Sequence, residues 1–129
     1  MRRQPDQGVV DWLDQQDPES IYLSTVSVAE IHFGIESLPV GARRQRLLES
    51  FEHFLTKGFD ERILDFDLDA AWIYGKVMGH RRRIGRPMAV ADGQIAAIAL
   101  GQGLVLATRN VKDFEETGLV LCNPFPPND

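Results

Sequence analysis

Three acidic residues interrupt apolar sequence near the ends of predicted strands: Glu30, Asp92 and Asp113. Residues that follow parallel strands converge on one crevice at the edge of the sheet. Carboxylates gathered there repel one another, which raises their pKa values unless a cation neutralises them. Oxygen ligands favour hard cations, and a carboxylate cage that retains waters suits Mg²⁺ best. The three residues therefore predict a metal site that orients water and stabilises charge developing on a phosphodiester.

Each acid also has an explanation as a helix-capping residue. Ser27 and Glu30 match the capping-box pattern, in which Glu30 returns to the backbone amide of Ser27. Asp92 has the position of an N-cap before an apolar helix, and Asp113 stands three residues after Asn110, another favoured N-cap. Caps are the commoner role for any one acid, whereas joint placement at one sheet edge favours the metal site.

The apolar pattern predicts which elements position these acids. Helical spacing is found over residues 9–16, 27–38, 47–55, 68–84 and 92–102. The helices over 27–38 and 47–55 are expected to form a hairpin that is broken at Pro39 and Gly41. Short apolar runs typical of strands occupy residues 21–23, 62–66, 104–108 and 119–122. The last two runs are continuously apolar, as in a parallel sheet covered on both faces, and Cys122 is expected to be buried there. This order predicts one three-layer α/β/α domain with a central, mainly parallel sheet over residues 1–122 and an irregular tail over 123–129.

The charge balance limits the ways in which the chain can bind nucleic acid. The 129 residues include 14 Lys and Arg against 19 Asp and Glu, a net charge of −5. Because bulk charge disfavours nucleic acid, such a partner needs a local basic surface or a bound cation. Two basic clusters exist, and for each a solvated helix surface is an equal alternative. They are Arg43, Arg44 and Arg46, and His80, Arg81, Arg82, Arg83 and Arg86.

Three stretches of the chain resemble the PIN-domain endoribonucleases, most closely the VapC and FitB-like toxins of bacterial toxin–antitoxin pairs. They are STVSVAEI at 24–31, GRPMAVADGQIAA at 85–97 and ATRNVKDF at 107–114, and they run in the family's order. The resemblance implies a PIN-like fold and a Mg²⁺- or Mn²⁺-dependent RNA-cleaving site. It makes Glu30, Asp92 and Asp113 both metal ligands and catalytic residues. It also places Thr108 and Asn110 at the rim, where they position the phosphate or a water.

The leading hypothesis is therefore a toxin that cleaves RNA by hydrolysis, without a covalent intermediate on the protein. Arg81, Arg82, Arg83 and Arg86 would supply RNA-facing charge. The resemblance implies two protein partners, a cognate antitoxin and a second copy of the chain. Apolar contact residues are expected among Trp12, Leu13, Phe33 and Ile35, with core packing as the alternative for Phe33 and Ile35. No apolar stretch is long enough to span a membrane and no secretory signal is evident, so we expect a cytoplasmic protein.

One departure from the family pattern concerns the start of the chain. Family members open with an apolar strand that ends in Asp-Thr-Asn, whereas this sequence begins MRRQPD, similar to the segment that follows that strand. Neither Asp6 nor Asp11 occupies a strand end. We therefore expect that the first strand is missing and that nuclease activity is impaired until it is restored. The alternative function is a non-catalytic, truncated relative that binds the antitoxin.

Overall fold

A computed structural model describes residues 22–56, 62–108 and 111–123. The chain divides into two compact units, Met1–Leu64 and Asp65–Asp129. The predicted helix over 9–16, with Trp12 and Leu13, lies outside the described residues, as do residue 21 of the predicted strand over 21–23 and residues 124–129 of the tail. The single domain predicted over 1–122 stays a prediction.

The described residues of the first unit form two strands and two helices. They are β1 (Leu23–Ser24), α1 (Thr25–Glu36), α2 (Ala42–Leu55) and β2 (Ile63–Leu64). β1 pairs with β2 in parallel, with Leu23 opposite Ile63. The two helices pack against each other, as the predicted helical hairpin requires. Gly41 precedes α2, so the predicted break between the helices is confirmed.

The capping box predicted at Ser27 is wrong. α1 begins at Thr25, and its N-cap is Ser24. The Ser24 hydroxyl accepts a hydrogen bond from the backbone amide of Ser27 at 2.9 Å. That amide therefore has a partner other than Glu30. Ser24 and Ser27 are both favoured N-cap residues, so the sequence alone does not show which of them begins the helix.

An apolar core holds the first unit together. Its buried members are Ile35, Leu38, Leu47, Phe51 and Phe54. The Phe51 and Phe54 rings are nearly parallel, with centroids 6.3 Å apart. The core alternative is confirmed for Ile35 and is wrong for Phe33, whose residue surface is 67% exposed.

Within the part of the second unit that the structure describes, the chain forms two helices, two strands and a short 3₁₀ helix. They are α3 (Leu68–Arg83), α4 (Val90–Gly101), β3 (Leu106–Ala107), the 3₁₀ helix Val111–Phe114 and β4 (Leu121–Cys122). β3 and β4 pair in parallel, with Leu106 opposite Leu121. Asp67 caps α3, since its carboxylate accepts a hydrogen bond from the Ala70 amide at 2.9 Å.

Six of the twelve residues of the helix α4 are buried. Its buried residues are small or apolar apart from one acid, and they are Asp92, Gly93, Ala96, Ala97, Ile98 and Ala99. α4 packs along α3 and also contacts the 3₁₀ helix. The core of this unit is built on Val77, Met88, Ala96 and Phe114.

The strands are shorter than predicted, and their outer positions are not covered. Leu106 and Leu121 pack against the core of the second unit. Val105, Val120 and Cys122 are exposed. Successive side chains of a strand point to opposite faces, so only alternate residues reach the core. Parallel pairing is confirmed for β3 and β4, but the burial predicted for Cys122 is wrong.

Candidate functional site

Asp92 is a buried acid in the first turn of α4, with only 5% of its surface exposed. The helix begins at Val90, and its N-cap is Ala89, which has an extended backbone and no side-chain cap. The N-cap interpretation of Asp92 is therefore wrong, because Asp92 lies inside the helix. The partial positive charge of a helix N-terminus favours a carboxylate in the first turn. Burial of a carboxylate is costly unless it is paired or hydrogen-bonded, and ionisable groups held in such positions are concentrated at functional sites.

The helix α3 approaches α4 closely beside Asp92. A Cβ atom on Gly93 would lie 2.5 Å from Sδ of Met78 and 3.0 Å from Cε2 of Tyr74. Only glycine fits this contact without a shift of those side chains. The Tyr74 ring is itself held edge-on against Phe66, at 5.7 Å between centroids. The first turn of α4 thus has a packed support on α3.

Asp113 lies in the 3₁₀ helix and is partly buried. Its neighbour Phe114 is buried in the core of the second unit and anchors this short helix. The 3₁₀ helix contacts both α4 and β4. Asp92 and Asp113 therefore belong to elements of one unit that touch each other.

Arg81 lies in the last turn of α3 and is 4% exposed. Its Nη1 donates to the backbone oxygens of Asp113 at 3.1 Å and Glu115 at 2.6 Å. Its Nε donates to the backbone oxygen of Arg86 at 2.6 Å. This placement leaves the guanidinium little surface for RNA, in contrast to Arg82, which is exposed. We therefore leave Arg81 out of the RNA-facing set.

Sequence reasoning missed this buried role of Arg81, although one signal was present. Val77 is buried in the core, and Arg81 follows it by one helical turn. Residues four apart lie on the same face of a helix. Of the basic residues that end α3, Arg81 is thus the one in line with the core.

The remaining predicted site residues are Glu30, Thr108 and Asn110. Glu30 is half-buried on α1 in the first unit. Thr108 follows β3, and its backbone amide donates to the oxygen of Cys122 at 2.8 Å. Asn110 lies outside the described residues. The joint site of Glu30 with Asp92 and Asp113 stays a prediction, since Glu30 belongs to the other unit.

The donor chemistry of Asp92 and Asp113 fits a hard divalent cation. Both offer carboxylate oxygens, which Mg²⁺ and Mn²⁺ prefer, and Mg²⁺ is commonly bound through one or two carboxylates with waters completing its shell. Within each unit, the described residues contain no group of three or more His, Cys, Asp or Glu placed to hold a metal. A metal site at Asp92 and Asp113 therefore stays a prediction.

A cavity of about 350 Å³ opens elsewhere on the second unit. It is lined by Lys76, Val77, His80, Glu116, Thr117 and Gly118, none of which is a predicted site acid. His80 and Glu116 are exposed there, with Nε2 and Oε1 3.9 Å apart. Asp92 is therefore a stronger candidate for a functional residue than the residues that line this cavity.

Comparison with known proteins identifies the family to which the chain belongs. The family model described as PIN domain matches residues 2–119. The chain therefore belongs to the PIN-domain family. None of the helices within 22–56, 62–108 and 111–123 is both long and apolar enough to cross a membrane.

The chain is similar over nearly its whole length to several named proteins. It is 42% identical to plasmid stability protein StbB of Pseudomonas syringae pv. tomato, with 96% of this chain and 89% of the relative covered. It is 38% identical to VapC ribonuclease Y4jK of Sinorhizobium fredii, with 98% and 90% covered. Identity with toxin FitB of Neisseria gonorrhoeae is 37%, with 97% and 90% covered. The crystal structure of FitAcB from Neisseria gonorrhoeae matches with a TM-score of 0.77 at 37% identity, covering 95% of this chain and 88% of that one.

Proposed function

We propose that this protein is a metal-dependent endoribonuclease that acts as the toxin of a toxin–antitoxin pair. The observation that carries the proposal is Asp92, an acid buried at the start of an apolar helix that contacts the element bearing Asp113. The relatives named VapC ribonuclease and toxin FitB support both halves of the proposal.

The proposed ligands of Mg²⁺ or Mn²⁺ are Asp92 and Asp113 together with Glu30. When bound, such a cation supplies positive charge that favours ionisation of water and stabilises a phosphodiester under attack. The carboxylates would also orient the attacking water through hydrogen bonds. Thr108 and Asn110 follow β3 in sequence and would position the phosphate at the rim.

The proposed RNA surface uses the exposed arginines at the end of α3 and in the loop after it. These are Arg82, Arg83 and Arg86. Arg86 also pairs with Glu115 at 3.1 Å, which holds its guanidinium beside the 3₁₀ helix. An acidic chain needs such a local basic surface, because its net charge repels the phosphate backbone.

The proposed protein partners are a cognate antitoxin and a second copy of the chain, in the cytoplasm. Phe33 is an exposed aromatic residue on α1 and would serve as an apolar contact. Ile35 is fully buried, so it stabilises the first unit and has no surface for a partner.

The test compares Asp92→Asn and Asp113→Asn with Asp69→Asn, an exposed acid in the first turn of α3. Asparagine keeps the shape of aspartate and removes its charge. We expect RNA cleavage with Mn²⁺ to fall about 100-fold or more in the first two variants, because the charge stabilisation that a bound cation supplies is worth several kcal/mol. Asp69→Asn should retain activity.

Two outcomes would count against the proposal. Unchanged cleavage in Asp92→Asn and Asp113→Asn, with folding verified by circular dichroism, would remove both acids from the reaction. A native protein that binds an antitoxin but cleaves no RNA at any Mn²⁺ concentration would instead identify the chain as an interaction module.

A further inference from the structure

The buried guanidinium of Arg81 joins two separate segments of the second unit. One is the loop between α3 and α4, where Nε of Arg81 donates to the Arg86 oxygen at 2.6 Å. The Arg86 amide donates back to the Arg81 oxygen at 2.8 Å. The other segment is the 3₁₀ helix and the turn after it, where Nη1 bonds the oxygens of Asp113 and Glu115.

Both segments carry or precede a candidate acid. The loop that contains Arg86 continues through buried Met88 directly into the first turn of α4, which holds Asp92. On the other side, Asp113 itself supplies one of the carbonyls that Nη1 binds. A displacement of Arg81 would therefore release the backbone on the approach to Asp92 and at Asp113 together.

The chemistry of arginine suits this link. A guanidinium offers five N–H donors in a rigid plane, so it can bond carbonyls that lie in different directions. Hydrogen bonds from a charged donor are stronger than those between neutral groups. A lysine at this position keeps the charge but presents its donors from a single atom, and it cannot reproduce the fork.

We infer that Arg81 is a positioning residue, which sets the placement of Asp113 relative to Asp92 through these backbone contacts. The inference rests on the proposed function, because Arg81 acts only through the two acids. It assigns to Arg81 a role inside the second unit, distinct from the RNA-facing role of its exposed neighbours.

The substitution that tests this inference is Arg81→Lys, with Lys76→Arg as the control, because Lys76 is an exposed basic residue on the same helix. Mn²⁺ affinity is measured by electron paramagnetic resonance titration, and RNA cleavage is measured across the same concentrations. We expect Arg81→Lys to weaken Mn²⁺ binding about 10-fold or more, as residues that orient metal ligands do. Cleavage at saturating Mn²⁺ should recover in large part, because both acids remain. Lys76→Arg should bind Mn²⁺ as the native protein does.

This separation of affinity from turnover distinguishes positioning from a merely structural role. A general loss of folded protein would reduce cleavage at every Mn²⁺ concentration without moving the midpoint. Folded Arg81→Lys with native Mn²⁺ affinity would overturn the inference.

A second measurement needs no substitution and applies if Arg81→Lys does not fold. Mg²⁺ is titrated into the native protein while the Arg81 Nε–H resonance and the amides of Asp92 and Asp113 are followed by NMR. We expect all three resonances to shift with one midpoint. Shifts at both acids with an unmoved Arg81 resonance would overturn the inference.

Failure of the inference and failure of the proposed function give different results. If Asp92→Asn and Asp113→Asn leave Mn²⁺ affinity unchanged, the metal site is elsewhere and both proposals fall. If those variants lose Mn²⁺ while Arg81→Lys retains it, the metal site stands and only the role of Arg81 is refuted.

Discussion

The described parts of the two units differ in whether they bury charged side chains. In the first unit, the described ion pairs, such as Arg44 with Glu36, lie at the surface around an apolar core. In the second unit, Arg81 and Asp92 are buried. Removing a charge from water is costly unless it is paired or hydrogen-bonded, so buried charges contribute little net stability. The contrast indicates that the first unit is organised for stability and the second for holding particular groups in place.

The helices of the two units also differ in the size of the side chains that pack beside them. Aromatic and long aliphatic side chains fill the space beside α1 and α2. Beside Asp92, by contrast, α3 and α4 come together over Gly93, and farther along α4 the buried positions include Ala96 and Ala97. Large side chains contribute more apolar burial, whereas small ones let backbones approach and leave less room for adjustment. The second unit should therefore be the more sensitive to added volume.

The largest effect on stability is expected from Phe54→Ala in the first unit. Removing this buried ring leaves a cavity, and we expect the free energy of unfolding to fall by about 3–5 kcal/mol in a denaturant titration. Phe33→Ala is the control, since Phe33 is an exposed aromatic residue of the same unit and should change stability by less than about 0.5 kcal/mol. Similar losses for both variants would contradict the described core.

A smaller effect is expected from Gly93→Ala in the second unit. The added methyl group collides with Met78 and Tyr74, and overpacking of this kind lowers stability by about 1–3 kcal/mol. Gly75→Ala on α3 is the matched control, because nothing lies within 4 Å of its added Cβ. Alanine is the better helix former, so this control should be stabilising by about 0.5–1 kcal/mol. If the two variants changed the thermal stability equally, the close approach of α3 to α4 at Gly93 would be contradicted.

The smallest effect concerns the surface ion pair of the first unit. A hydrogen bond and the positive charge of Arg44 lower the pKa of Glu36, and His32 adds to this, while burial opposes it. Because the folded pKa lies below the unfolded one, the pair stabilises the fold above the unfolded pKa. That contribution is lost as pH falls through the folded pKa.

We expect Arg44→Gln to raise the pKa of Glu36 toward its ordinary value in an NMR titration of the carboxyl carbon. Arg43→Gln, at an exposed neighbouring position, should leave this pKa in place. A Glu36 titration that Arg44→Gln does not move would show that the ion pair is not formed in solution. The change in stability near neutral pH should be slight in either variant, since exposed pairs are screened by water.

The sequence by itself determined the order of elements in the described residues, the helical hairpin, the buried helix that carries Asp92 and the parallel pairing of the last two strands. These features follow from local periodicity, because a helix or strand repeats its apolar positions at its own spacing. The motifs around Glu30, Asp92 and Asp113 also indicated the PIN-domain family, which the family model confirms.

Only the tertiary structure decided what individual polar and boundary residues do. It separated buried Arg81 from its exposed neighbours, moved the cap of α1 to Ser24, and exposed Phe33 and Cys122. Helical spacing places Arg81 in line with the core, but only the facing carbonyls show that its guanidinium is buried and hydrogen-bonded. The burial of a residue depends on which distant segment packs over it, and that is a property of the folded chain.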